Sequence, residues 1–268
     1  MNKRILLIAA GLASGFSLSA EAADAPPSAP ANTTYKALTS KTAPTAATAS
    51  LGDLTGNFDI TSNYMFRGVS SSNNLPAFQG GLTYTFSTTG VYFNIWGSNV
   101  NFPDPQGNTA TVEMDTIMGI ANPIGDHFSY DINIDRYSYP KSAASYSEVI
   151  ANAKWYFLTA QVGFSSNVYG VHHNGTYYNI GFKYDVPPAW LWQVENINVS
   201  GGIGHYSLQR SGGLSSYNDY NLNVSKTIGS YVLALGWTDT GNSSFNLVND
   251  PTPATRGSHL VGTVTVNF

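Results

Sequence analysis

The last nine residues, Leu260 to Phe268, alternate without a break. In an extended strand successive side chains point to opposite faces. Leu260, Gly262, Val264, Val266 and Phe268 therefore share one face, and Val261, Thr263, Thr265 and Asn267 share the other. A strand of this kind that stops on an aromatic ring is the pattern of a final outer-membrane barrel strand. A soluble edge strand can alternate in the same way, so the pattern needs an independent sign of export.

That sign is at the other end of the chain. Lys3 and Arg4 precede an apolar run from Ile5 to Phe16, and Ala20-Glu21-Ala22 forms a small-x-small processing site. Residues 1–22 thus read as a secretory signal peptide. The run is shorter than the roughly 20 apolar residues a transmembrane helix needs, and no other apolar stretch approaches that length. Only helices and closed barrels satisfy every backbone group inside lipid, so a membrane form of this chain must be a barrel.

Composition agrees. Charged residues make up 10% of the chain, against about 25% in ordinary globular proteins. Such a surface is poor in charge for contact with water, and it is accompanied by 13% aromatics and 26 glycines. The absence of cysteine excludes a disulfide framework, leaving sheet closure or a large core as the source of stability. A net charge of -4 with no clustered basic face argues against a nucleic-acid partner. Residues 23–51 are built almost wholly from Ala, Pro, Thr and Ser. They read as a disordered periplasmic tether, with a plug inside the barrel as the less favoured alternative.

Residues 52–268 divide into about twelve alternating segments: 53–67, 77–87, 90–101, 109–121, 127–138, 145–156, 158–168, 176–186, 194–208, 216–227, 230–239 and 258–268. The fold class expected is all-β, a transmembrane antiparallel up-and-down β-barrel of about 12 strands. Connections after the even segments are mostly short, and those after the odd segments longer and polar. This is the barrel plan, with both termini in the periplasm. Pro187-Pro188-Ala189-Trp190-Leu191-Trp192 departs from it, being long and aromatic where a tight turn is expected; it suits an interfacial anchor.

The two faces can be assigned. Phe58, Ile60, Tyr64, Phe66, Leu82, Phe93, Ile95, Ile132, Ile134, Val149, Trp155, Ile180, Leu222, Leu235 and Trp237 are among the residues expected to face outward. Polar residues take the inward phase. Among them the lumen or constriction candidates are Arg67, Glu113, Asp115, Asp131, Asp135, Glu148 and Lys154. Inward acids, which also include Asp59, Asp185 and Asp219, outnumber the inward bases Arg67, Lys154 and Lys183. An open lumen would therefore favour cations or neutral polar solutes. Alternatively the charges pair in a closed polar core that conducts nothing.

The segment Asp59 to Ser70, with Phe66-Arg67-Gly68-Val69-Ser70 at its end, is followed by Pro76-Ala77-Phe78-Gln79-Gly80-Gly81 and by Gly90-Val91-Tyr92-Phe93 to Trp96-Gly97-Ser98. This series closely resembles the opening of the TorF-type porins of proteobacteria. Glu113 with Asp115, Tyr137-Ser138-Tyr139-Pro140 and Glu148 resemble further landmarks of that family. The resemblance implies an outer-membrane barrel with a channel role, and it names no substrate. In physical terms Arg67 ends the first segment on the inward phase, where its guanidinium can bridge Glu113 or Glu148. It either lines a constriction or latches the first outer loop. The latch is favoured, because a buried Arg is usually paired. Gly80 and Gly81 are expected to ease sheet curvature.

One enzymatic reading competes. His205 and Ser207 lie two apart near the outer end of a strand, with Asp219 on the next, similar to the His-x-Ser plus acid arrangement of lipid A deacylases. The alternative is an interfacial His and a strand-end Ser. His172-His173 reads as loop surface, not as a metal site, and no cofactor is implied. The sequence thus points to the outer membrane of a Gram-negative bacterium and to a small, passive, mildly cation-favouring diffusion channel for small polar solutes. A non-conducting structural barrel remains a rival. The expected partners are outer-membrane lipid and lipopolysaccharide, and the barrel-assembly machinery through Leu260 to Phe268.

Overall fold

In the computed structural model, which describes residues 52–209, 214–241 and 255–268, the alternating segments become strands that pair only with antiparallel neighbours. The strands are β1 (Asp53–Thr61), β2 (Met65–Phe66), β3 (Val69–Ser70), β4 (Ala77–Thr85), β5 (Val91–Pro103), β6 (Thr109–Ile124), β7 (Phe128–Ser138), β8 (Tyr146–Trp155), β9 (Leu158–Ser165), β10 (Gly175–Asp185), β11 (Ile197–Leu208), β12 (Tyr217–Ile228), β13 (Tyr231–Asp239) and β14 (His259–Asn267). All except β2 and β3 form one closed barrel in the order β1-β14-β13-β12-β11-β10-β9-β8-β7-β6-β5-β4. This is the expected 12-stranded antiparallel barrel. The signal segment 1–22, the tether 23–51 and most of the last long connection lie outside the described residues.

Closure joins the two ends of the barrel sequence. Phe58 pairs with Val266 and Ile60 with Val264, while the Gly56 amide donates to the Phe268 carbonyl at 2.8 Å. Within the barrel no sheet edge is left open, so each of its twelve strands finds two neighbours. Both termini of the barrel lie at one end, the terminal end, where connections are short: 86–90, 125–127, 156–157 and 229–230. Gly229 sits at φ 60 in the first central position between the paired Ile228 and Tyr231, a positive φ that glycine adopts without strain. The long exception, 186–196, contains a 3-10 turn over Pro188–Trp190, and both Trp190 and Trp192 are exposed. The opposite end, the loop end, carries 62–76, 104–108, 139–145 and 166–174, and there β11 and β13 end and β12 and β14 begin.

Outward and inward faces follow the alternation. Phe58, Ile60, Leu82, Phe93, Ile95, Ile132, Ile134, Val149, Trp155, Ile180, Leu222, Leu235 and Trp237 project from the outer wall. Asn57, Asp59, Gln79, Thr83, Asp131, Asn133, Asn152, Asn179, Asn221 and Asn223 are buried inside. A soluble barrel reverses this distribution.

The first strand differs from expectation. It ends at Thr61, not at residue 67, and the chain then turns into the barrel. Tyr64 and Phe66, expected outside, are buried in the interior. Strand pairing stops where the Ser62 amide takes the Gly262 carbonyl, after which Asn63 accepts hydrogen bonds from Ser70 and Ser72 and donates to Asn74. These side chains close residues 62–76 on themselves, so the segment satisfies its backbone without a barrel partner.

Candidate functional site

Within the inward segment β2 and β3 form a hairpin, with Met65 opposite Ser70 and Phe66 opposite Val69. Its tip is Arg67-Gly68, at φ 48 and φ 77. Two consecutive positive φ values are the requirement of a type I′ turn, which normally takes Asn-Gly. Arg in the first place costs about 1–2 kcal/mol of backbone strain, so its side chain must supply a compensating contact. Gly68 has no alternative: a side chain there would run into Asp219 and Thr240.

The compensation comes from the far wall. Arg67 Nη1 donates to Glu148 Oε1 at 3.0 Å and Nη2 to Glu148 Oε2 at 2.6 Å, a side-by-side pair. Both side chains are completely buried. Glu148 stands on β8, five strands around the wall from β1. The guanidinium carbon lies 4.7 Å from the Phe66 ring centre, 4.2 Å from Tyr177 and 4.6 Å from Tyr206. Removing such a charge from water is tolerable only with a well-aligned counter-charge and polarisable surroundings, and both are present. Tyr137 adds its hydroxyl to Glu148 Oε2 at 3.4 Å. On β9, Gly163 leaves room for the pair, since a Cβ there would fall 2.8 Å from Glu148 Oε1 and 3.2 Å from Arg67 Nη2.

Around this pair the loop-end half of the lumen is filled by rings. Tyr64 meets Trp96 edge-on at 5.7 Å and Phe66 meets Tyr137 at 5.9 Å. Tyr137 stacks on Tyr146 at 4.6 Å, and the series continues through Tyr169, Tyr206, Tyr177 and Tyr217. The hairpin therefore touches β5, β7, β8, β10, β11 and β12 and bridges the lumen. Glu113 stands beside this layer and accepts from the Tyr139 hydroxyl at 3.0 Å. Asp115 is buried two residues along the same strand, and Asp135 is the register partner of Glu148. Asp219 accepts from the Tyr177 hydroxyl at 3.1 Å.

The terminal half is built differently. Asp131 accepts from the Tyr92 hydroxyl at 2.9 Å and from the Asn133 and Asn152 amides, each at 3.1 Å. Gln161 extends the set by donating to Asn152 at 2.7 Å. Lys154 is half-buried in this part of the wall, away from the Arg67 layer. One further carboxylate is held outside the strands. Burial alone would raise the Asp104 carboxyl, but amides of Ala143, Asn108 and Gln106 and the Asn108 side chain all donate to it, and together they hold it below the usual aspartate range.

A family model described as a bacterial protein of unknown function, Gcw_chp, matches residues 45–267. The chain belongs to the Gcw_chp family. No curated protein matches it. Among solved structures it is similar to the KdgM porin, with a TM-score of 0.49 and 7% identity over 80% of this chain and 99% of that one. The NanC porin gives 0.49 and 9% over 81% and 99%. The outer membrane protein OpdK from Pseudomonas aeruginosa gives 0.40 and 11% over 83% and 68%.

In this Gcw_chp barrel the sequence-derived candidates fall into two groups. Arg67, Glu148, Asp135, Glu113 and Asp115 share the loop-end layer, whereas Asp131 and Lys154 belong to the terminal half. Of the two carboxylates considered for Arg67, Glu148 takes it and Glu113 takes Tyr139. The hydrolase arrangement does not assemble: His205 and Ser207 project from the outer wall, while Asp219 is buried inside, across the backbone from them. His205 Nδ1 instead lies 2.7 Å from Asn218 Oδ1. Two apart on one strand fixes a common face, but Asp219 on the next strand is opposite Gly204, which has the other phase. His172 and His173 stay in their loop, and among the described residues no group of three His, Cys, Asp or Glu is arranged to hold a metal. Sequence reasoning missed the ring layer. Its signal was present in Tyr137, Tyr146, Tyr177, Tyr206 and Tyr217, all on the inward phase near loop-end strand termini.

Proposed function

We propose that this chain is an outer-membrane porin of the TorF type. It passes small polar solutes, with a mild preference for cations, through a lumen that the 62–76 hairpin narrows. The observation that carries the reading is the reversed distribution of polarity: apolar side chains cover the outer wall of a closed barrel, and acids, amides and hydroxyls line its interior. Such an exterior suits acyl chains, and such an interior suits water and polar solutes. The exposed Trp190 and Trp192 at the terminal end suit the headgroup boundary on the periplasmic side. The TorF resemblance of residues 59–98 supports the same reading.

The mechanism is passive. A solute entering from the terminal half exchanges part of its hydration for the Asn and Thr side chains of the wall. Deeper in, the inward acids exceed the bases, so cations are favoured over anions. Passage past the Arg67 layer requires the hairpin to yield, because the guanidinium and its rings fill that level.

Planar-bilayer recording of the refolded protein tests this. Discrete conductance steps are expected, with a reversal potential that indicates cation preference and moves toward neutrality in Glu113→Gln or Asp115→Asn. Arg67→Ala is expected to enlarge the steps or lengthen the open time. A silent bilayer for both wild type and Arg67→Ala contradicts the proposal and favours a non-conducting barrel.

A further inference from the structure

Arg67 lies against a wall that does not belong to its own hairpin. Glu148 comes from β8, Tyr137 from β7, Tyr177 from β10 and Tyr206 from β11. Each is held in place by other parts of the barrel. Tyr137 bonds Glu148, and Asp219 takes the Tyr177 hydroxyl while facing the glycine at 204, where a side chain would collide with both. Gly163 keeps the space before the Glu148 carboxylate clear. Glu148, Tyr137 and Tyr177 thus have partners in the wall besides the arginine.

Its shape is specific to one chemical group. The two carboxylate oxygens of Glu148 accept from two parallel nitrogens, which a planar guanidinium presents and an ammonium does not. Tyr177 and Tyr206 approach the guanidinium carbon at 4.2 and 4.6 Å, a spacing suited to a flat cation. Asp135 is buried beside Glu148 in the register, and its Oδ1 has no hydrogen-bond partner among the described residues.

We propose that this wall is a binding site for guanidinium cations, occupied by Arg67 as a tethered ligand. Solutes that carry a guanidinium group compete with the hairpin for it. The proposal deepens the channel reading, on which its consequence for solute choice rests: arginine-like cations both fit the lumen site and displace the segment that closes it.

Isothermal titration calorimetry on the full-length protein refolded in detergent, with methylguanidinium as the probe, tests the site without reference to conduction. Arg67→Ala is expected to bind methylguanidinium at least tenfold more tightly than methylammonium, and Glu148→Gln added to that variant is expected to abolish the binding. Binding no tighter than that of methylammonium, or none, overturns the proposal. If Arg67→Ala does not refold, wild type carries the test through amide exchange. Methylguanidinium is expected to accelerate exchange of residues 62–76 while equal methylammonium does not, and equal rates with both overturn it. Binding observed together with a silent bilayer defeats the channel reading and leaves the site standing; conduction without binding defeats the site and leaves the channel.

Discussion

The two halves of the lumen are organised by different means. At the loop end a single chain segment crosses the space, and one buried ion pair, Arg67 with Glu148, fixes it to the opposite wall. At the terminal end each bond joins neighbouring parts of the wall itself, as when Asn133 and Asn152 converge on Asp131. The first kind involves a hairpin that is not part of the barrel sheet, so no barrel strand pairing depends on it. The second is made of groups of the wall itself, set by the strand register. A polar interior therefore does not by itself define a channel; what decides is whether the groups filling it belong to the wall or to a segment that can leave.

The largest expected effect follows from breaking the first kind. Arg67→Ala leaves the Glu148 carboxyl buried and without its partner, which costs about 3–5 kcal/mol of stability. Urea unfolding is expected to show that loss, and hydrogen exchange is expected to show residues 62–76 losing protection while β7 and β8 keep theirs. Equal loss in the wall strands would erase the distinction between the halves. Gly163→Ala presses on the same pair from β9 without touching the hairpin. A destabilisation of about 2 kcal/mol is expected from overpacking, again with the exchange change concentrated in 62–76. On the other side of the comparison, Asp131→Asn still accepts two hydrogen bonds and is expected to cost about 1 kcal/mol. It should leave hairpin exchange unaltered, and faster exchange there would show that the halves are coupled.

The smallest effect concerns pH. The Asp104 carboxyl lies lower in the folded chain than in the unfolded one. Its contribution is therefore complete above the ordinary aspartate pKa and disappears as the pH falls through the lowered value. Acidification is expected to raise amide exchange at Gln106, Asn108 and Ala143, and Asp104→Asn is expected to remove that dependence.

Most of the barrel was legible in the sequence because strand alternation has a period of two and turn residues mark its breaks. The segments expected at 109–121, 127–138 and 230–239 lie within a few residues of β6, β7 and β13. The exception is instructive. Residues 62–67 continue the alternation of β1, so Tyr64 and Phe66 carry the outward phase although the backbone has left the wall. Alternation records which residues share a face, not whether the strand still has neighbours. The hint of a second hairpin was Arg67-Gly68 between Phe66 and Val69, obscured because Arg stands where Asn or Asp is usual. The Arg67–Glu148 pair was legible as a possibility from charge and phase. Its aromatic surroundings were not, since tyrosines far apart in sequence converge only once the barrel closes. For His205, Ser207 and Asp219, spacing alone misled: the phase of Asp219 depends on a cross-strand register that the sequence does not state.

Quenching of single-tryptophan variants by lipids brominated on their acyl chains tests the orientation of the wall most directly. Trp237 projects from the outer surface of β13, and Trp96 is buried in the lumen beside Tyr64. With each as the sole tryptophan in protein refolded into bilayers, strong quenching of Trp237 and little of Trp96 is expected. Quenching of Trp96 in preference to Trp237, or of neither, would contradict a barrel that turns its apolar face to lipid and encloses its polar one.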